Sequence, residues 1–86
     1  MDVRERVGWN LRRLRVEKGI SQDHLAFAAE VERAYVGHLE RGKKNPTIVT
    51  LYKLATVLDC DVSELFAIPP KDAEPIAPLG AGRRKS

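Results

Sequence analysis

The chain has 86 residues, 43% of them hydrophobic and only 6% aromatic, with a formal net charge of +3. A chain this short buries only roughly 60% of the surface its unfolded form exposes, so it holds one thin core and leaves no room for a large catalytic cleft. A single cysteine, Cys60, excludes an intramolecular disulfide and a cysteine-built zinc site, and no apolar run approaches the length of a signal core or a membrane span.

A cytoplasmic location and no membrane partner are therefore expected. The charge is unevenly placed: residues 1–66 hold eleven Lys and Arg against ten Asp and Glu, a net of +1, so the remaining +2 lies in residues 67–86. The first part can bind an anionic partner only if its cations gather on one face. Apolar residues recur at helical spacings rather than alternating, which predicts an all-α domain.

The first helix is expected over residues 1–18. Val3, Val7, Leu11 and Leu14 follow one another at spacings of four, four and three, and Gly19 supplies the stop. Arg4, Arg6, Arg12, Arg13 and Lys18 fall off that stripe and read as a solvated face. Arg15, one place past Leu14, lies at the buried edge, where a long cation needs an acidic partner. Trp9 is off the main stripe, and its place is open between packing on the domain, packing on a partner chain and packing on nothing.

Ser21 is an N-cap for a second helix over residues 22–29. Leu25, Ala26 and Ala29 form its inner face, and the small Ala26 side chain lets another helix approach. Glu30 and Val31 form the turn into a third helix, residues 32–41, which ends at Gly42. Val31, Val36 and Leu39 point inward there. Arg33, Ala34, Gly37 and His38 are left outward, a face of small residues and a few long donors suited to lying against a surface.

Lys43, Lys44, Asn45 and Pro46 form a basic loop, and Thr47 caps a fourth helix whose inner positions are Ile48, Leu51, Leu54, Ala55 and Leu58. A short fifth helix follows. Asp61 and Glu64 read as a capping box, with Val62, Leu65 and Phe66 as its apolar side. Cys60 reads as a small buried hydrophobe. From Ala67 onward four of the five prolines and two glycines precede Arg83, Arg84 and Lys85; residues 67–86 read as a flexible tail, because such a segment cannot bury enough apolar area to offset its ordering entropy.

The wording LRRLRVEKGISQDHLA followed by VERAYVGHLERGKKNPTIVTLYKLATVLDCDVSELF resembles the helix-turn-helix domain of lambda-repressor and Cro-like (XRE) regulators across residues 3–66. The ERAYVGHLERGKKNP segment is most similar to the small controller proteins of restriction-modification systems. The resemblance implies a five-helix lambda-repressor-like DNA-binding domain over 1–66, with the helix-turn-helix at 22–41 and the recognition helix at 32–41. It also implies a sequence-specific transcriptional regulator that binds double-stranded DNA as a homodimer.

Position by position, the resemblance gives Arg33, Ala34 and His38 the places of base readers, and Gln22, Tyr35, Lys43, Lys44 and Asn45 those of backbone contacts. Arg15 and Glu40 take the places of an internal ion pair. Arg33 has the planar fork that matches guanine O6 and N7, and Gln22 stands at a helix N-terminus that favours phosphate. His38 reads either as a donor to a base or as a solvent-facing imidazole. Glu32 reads as a helix-start carboxylate or as an acceptor from cytosine. Val62, Phe66 and Ile68 are candidates for the dimer seam; core packing of Val62 and edge cover by Phe66 are the alternative.

The turn position often held by glycine is Glu30, and the one after the fourth helix is Asp59. Each either avoids a positive φ or accepts its cost. An antitoxin-like module, binding DNA and wrapping a protein with its tail, is a second reading, although Ile68, Ile76 and Leu79 are the only large apolar residues there. His24, His38, Cys60 and the carboxylates show neither ligand spacing nor a nucleophile-base pairing, so no enzyme activity, metal, cofactor or small-molecule ligand is expected.

Overall fold

In the computed structural model, which describes residues 1–73, the chain forms four α-helices and one 3-10 helix. They are α1 (Val3–Lys18), α2 (Gln22–Ala29), α3 (Arg33–Glu40), α4 (Ile48–Val57) and the 3-10 helix Val62–Phe66. Arg83, Arg84, Lys85, Ile76 and Leu79 lie outside the described residues. No described helix is long and apolar enough to cross a membrane.

Local chemistry fixes the helix ends. Asp2 caps α1 in a reciprocal box: its carboxylate accepts from the Glu5 amide at 3.0 Å, and the Glu5 carboxylate accepts from the Asp2 amide at 2.9 Å. That bond to the Glu5 amide, with Arg4 beside it, lowers the Asp2 pKa below the usual aspartate value. Ser21 accepts from the His24 amide and Thr47 from the Thr50 amide, so both expected caps are made. Gly19 and Gly42, at φ 77° and 71°, end α1 and α3 in the left-handed conformation that glycine adopts at no steric cost.

Glu30 and Asp59 accept the cost that glycine would avoid, with φ of 61° and 56°. The bonds that follow explain why the chain turns there regardless. After Glu30, the Val31 amide reaches back to the Ala26 carbonyl at 2.9 Å; after Asp59, the Cys60 amide reaches Ala55 at 3.1 Å. A side-chain-bearing residue in this region costs about 1–2 kcal/mol. Glu30→Gly should therefore raise stability by about 1 kcal/mol once the greater freedom of glycine in the unfolded chain is deducted. The check is a urea midpoint that rises at constant slope.

Leu11, Leu25, Val36, Leu39, Leu51, Leu54 and Leu65 form the centre of the core, with Val7, Ala26, Ala29, Ala55 and Leu58 completing it. α1 packs on α3 and on the 3-10 helix, and α2 bridges α3 and α4. Gly8 lets α1 and α3 touch: a Cβ there would lie 2.9 Å from the Glu40 carbonyl oxygen and closer still to that of Leu39. Asn10, only 1% exposed, binds the C-terminal segment to α1. Its amide donates to the Leu65 carbonyl at 3.2 Å and the Ala67 carbonyl at 2.8 Å.

Several expectations are corrected. Val3 and Ile48, placed on inner stripes by spacing, are 58% and 78% exposed, each standing in the first turn of its helix. Arg12, placed on the solvated face, is 6% exposed. Burial lowers its guanidinium pKa, against the opposing pull of Glu40. α3 is one residue shorter at each end than expected, with Glu32 as N-cap and Arg41 as C-cap. The fifth helix is a 3-10 turn, and Asp61 accepts from the Ser63 amide rather than closing a box with Glu64. Cys60 is half-buried against the core, and burial raises its thiol pKa.

Candidate nucleic-acid interface

α2 and α3 are held at a fixed angle by a buried polar knot beneath them. Arg15 is 1% exposed; its Nε donates to Glu40 at 2.6 Å and its Nη2 to the other carboxylate oxygen at 3.0 Å. The third nitrogen donates to the Ile20 carbonyl at 2.9 Å. Gln22, opening α2, donates its amide to the same Glu40 at 2.9 Å. One carboxylate thus ties α1, the start of α2 and the end of α3 together. The two-pronged contact satisfies both oxygens, which a buried ion pair requires if attraction is to repay desolvation.

Above this knot the outer face of α3 is open. Arg33 and Ala34 are exposed, Tyr35 is half-buried against the core, and His38 is half-buried with Nδ1 3.0 Å from Arg41 Nη2. Gly37 is buried rather than open, since two guanidinium groups cover it. A Cβ there would lie 3.5 Å from Arg41 Nη1 and 3.8 Å from Arg33 Nη1. Arg33 Nε also donates to Asp23 on α2 at 3.1 Å. Lys43, Lys44 and Asn45 are exposed in the loop that follows α3.

The structure therefore brings Arg33, Ala34 and His38 onto one outward face, with the 43–45 loop at its C-terminal end. Gln22 stands at the start of α2, engaged with Glu40. Two contributors escaped the sequence reading. Arg41 falls four residues after Gly37 and eight after Arg33, so one helical column holds all three, and a count in fours would have found it. Asp23 carries no such signal, because its place beside Arg33 depends on the angle between two helices. Val62 is half-buried, while Phe66 and Ile68 are 40% and 81% exposed.

A small all-helical fold in which a capped helix, a tight turn and a second helix with an open cationic face sit on a buried ion pair is a helix-turn-helix fold of the DNA-binding kind. The chain belongs to the helix-turn-helix family HTH_3, whose pattern matches residues 11–65. It is 43% identical over 75 residues to the uncharacterized HTH-type transcriptional regulator y4dJ of Sinorhizobium fredii, spanning 87% of this chain and 95% of that one. It is 37% identical over 67 residues to the control protein C.MunI of a Mycoplasma species, covering 77% and 90% of the two chains.

Among solved structures, the restriction-modification controller protein C.AhdI of Aeromonas hydrophila superposes with a TM-score of 0.72 at 48% identity, over 73% of this chain and 96% of that one. The XRE resemblance and its link to controller proteins are thereby established. The chain is a transcriptional regulator with a helix-turn-helix DNA-binding fold, related to controller proteins, and not an enzyme.

Proposed function

We propose that the protein binds a pseudo-palindromic operator as a homodimer, with α3 of each copy in the major groove. The observation that carries this reading is the column Arg33, Gly37, Arg41, where the guanidinium nitrogens of two arginines come within 4 Å of the space a Cβ on the glycine would fill, on an outward helix face. A major groove about 12 Å wide admits such a helix only if its outer side chains are small or meet the bases themselves. Arg33 would take guanine O6 and N7, Ala34 would give clearance or meet a thymine methyl, and His38 would donate one turn on. Gln22, Tyr35, Lys43, Lys44 and Asn45 would hold the phosphates.

A single copy would make too few base contacts to find one site, because phosphate contacts position and base contacts specify. Two copies would place their reading helices about 34 Å apart, one turn of DNA. The exposed Phe66 and Ile68, beside the half-buried Val62, support a seam on the C-terminal side of the domain. Light scattering should return the mass of two chains at tens of micromolar; a monomer there removes the dimer from the reading.

Selection from random duplexes followed by sequencing should yield a half-site and its spacing. On that duplex Arg33→Ala should lose about 1–3 kcal/mol of discrimination while the melting temperature holds. Unchanged discrimination would remove Arg33 from base reading. Replacing Lys43 and Lys44 together by alanine should weaken binding to all duplexes alike and shallow the salt dependence by about 2 units for each protomer bound. A loss confined to the selected site would make the loop a reader rather than a phosphate clamp.

A further inference from the structure

Asp23 is the second residue of α2 and Arg33 the first of α3, and their ion pair spans the open side of the turn between the two helices. Both side chains are exposed, at 79% and 60%, so water screens the pair and it adds little to the stability of the free protein. Its chemistry matters more than its strength. A guanidinium can meet two acceptors at once along its end edge, Nη1 with Nη2, or along a side edge that includes Nε. Asp23 takes Nε, at 3.1 Å. With Nε taken by Asp23, Nη1 and Nη2 carry the donors left for an outside partner, Nη1 standing 3.8 Å from where a Cβ on Gly37 would lie.

The carboxylate has a second effect. It neighbours Gln22, the proposed phosphate contact, and a negative charge there opposes the approach of a DNA backbone. In a complex that keeps Arg33 beside Asp23, the guanidinium charge offsets the repulsion between that carboxylate and the backbone. A complex on the wrong sequence, with Arg33 drawn away to a phosphate, leaves Asp23 close to the backbone without that compensation.

We propose that Asp23 is a specificity-determining positioning residue, which sets the edge that Arg33 presents to a base and penalises complexes in which Arg33 leaves that pose. The proposal rests on the reading of Arg33 as a base reader. A carboxylate in the first turn of α2 also suits the positive end of that helix. That structural role would change the melting temperature slightly and would leave the ratio of affinities between two duplexes unmoved.

The test uses the whole chain and fluorescence anisotropy on two labelled duplexes, the consensus recovered by selection and a scrambled control, with Asp23→Ala, Asp23→Asn, Arg33→Ala and the Asp23→Ala/Arg33→Ala double variant. Asp23→Ala should reduce the consensus-to-scrambled affinity ratio about tenfold, within the range set by one bidentate base contact, chiefly by tightening the scrambled complex. Asp23→Asn keeps an acceptor for Nε and should recover part of that ratio. In the Arg33→Ala background, Asp23→Ala should change the ratio no further.

If Asp23→Ala shifts both duplexes by one common factor while Arg33→Ala lowers the ratio, Asp23 is only a charge near the backbone and the proposal falls by itself. If Arg33→Ala leaves the ratio intact, the reading beneath it falls instead.

Discussion

Glu40→Ala should cost about 3–5 kcal/mol of folding stability, the penalty for stranding a buried charge. Arg15 is 1% exposed and the Glu40 side chain 4%, and two of the three Arg15 nitrogens donate to that carboxylate. Removing it leaves the Arg15 cation in the core facing Arg12, which is itself buried, and releases the Gln22 amide. Domains of this kind are stable by about 5–15 kcal/mol in total, so the loss takes a large share of the folding free energy. Urea unfolding followed by circular dichroism measures it. A companion variant, Arg15→Met with Glu40→Leu, should recover most of the loss, because two apolar side chains of similar volume remove both partners of the pair together and strand neither. An unchanged melting temperature for Glu40→Ala would remove the ion pair from the account of stability.

Gly8→Ala comes second. The added methyl would press on the Leu39 and Glu40 carbonyl oxygens, both backbone atoms that move only if α3 moves. Overpacking ordinarily costs about 1–3 kcal/mol, and contact with backbone belongs at the upper end. Alanine recovers about 1 kcal/mol through its better helix preference, so a net loss of about 2 kcal/mol is expected. Because α3 carries Arg33 and is capped by Arg41, DNA affinity should fall further than stability alone explains, measured at a temperature where the variant is fully folded. A melting temperature at or above that of the unaltered chain would show that α1 and α3 can part without cost.

The helix boundaries were largely legible because their signals are local: Ser21, Thr47, Gly19 and Gly42 each act within one turn of where they stand. Arg15 and Glu40 were paired from the resemblance, and the 2.6 Å contact now gives that pair its geometry. What escaped depends on the third dimension. Arg12 was assigned to solvent because aliphatic spacing alone defines a stripe, whereas a long cation can fold beneath the helices beside it. Asp61 with Glu64 has the spelling of a capping box, yet a five-residue 3-10 helix brings the Ser63 amide to the carboxylate first. Gly8 showed no signal at all, since nothing in α1 reveals which backbone will cross it.

Asn10 gives the proposed dimer a mechanical property. Its amide takes the carbonyls on either side of Phe66, so a seam at Phe66 would be bolted to α1 rather than carried on a free end. Consider each reading helix as the tip of a lever about 17 Å long, half the separation of two half-sites. A swing of about 11° at the pivot displaces that tip by about 3.4 Å, the rise of one base pair. Loosening this one amide would therefore blur the ruler before it dulled the pen: the protein would still recognise each half-site, while tolerating operators whose halves stand one step too near or too far.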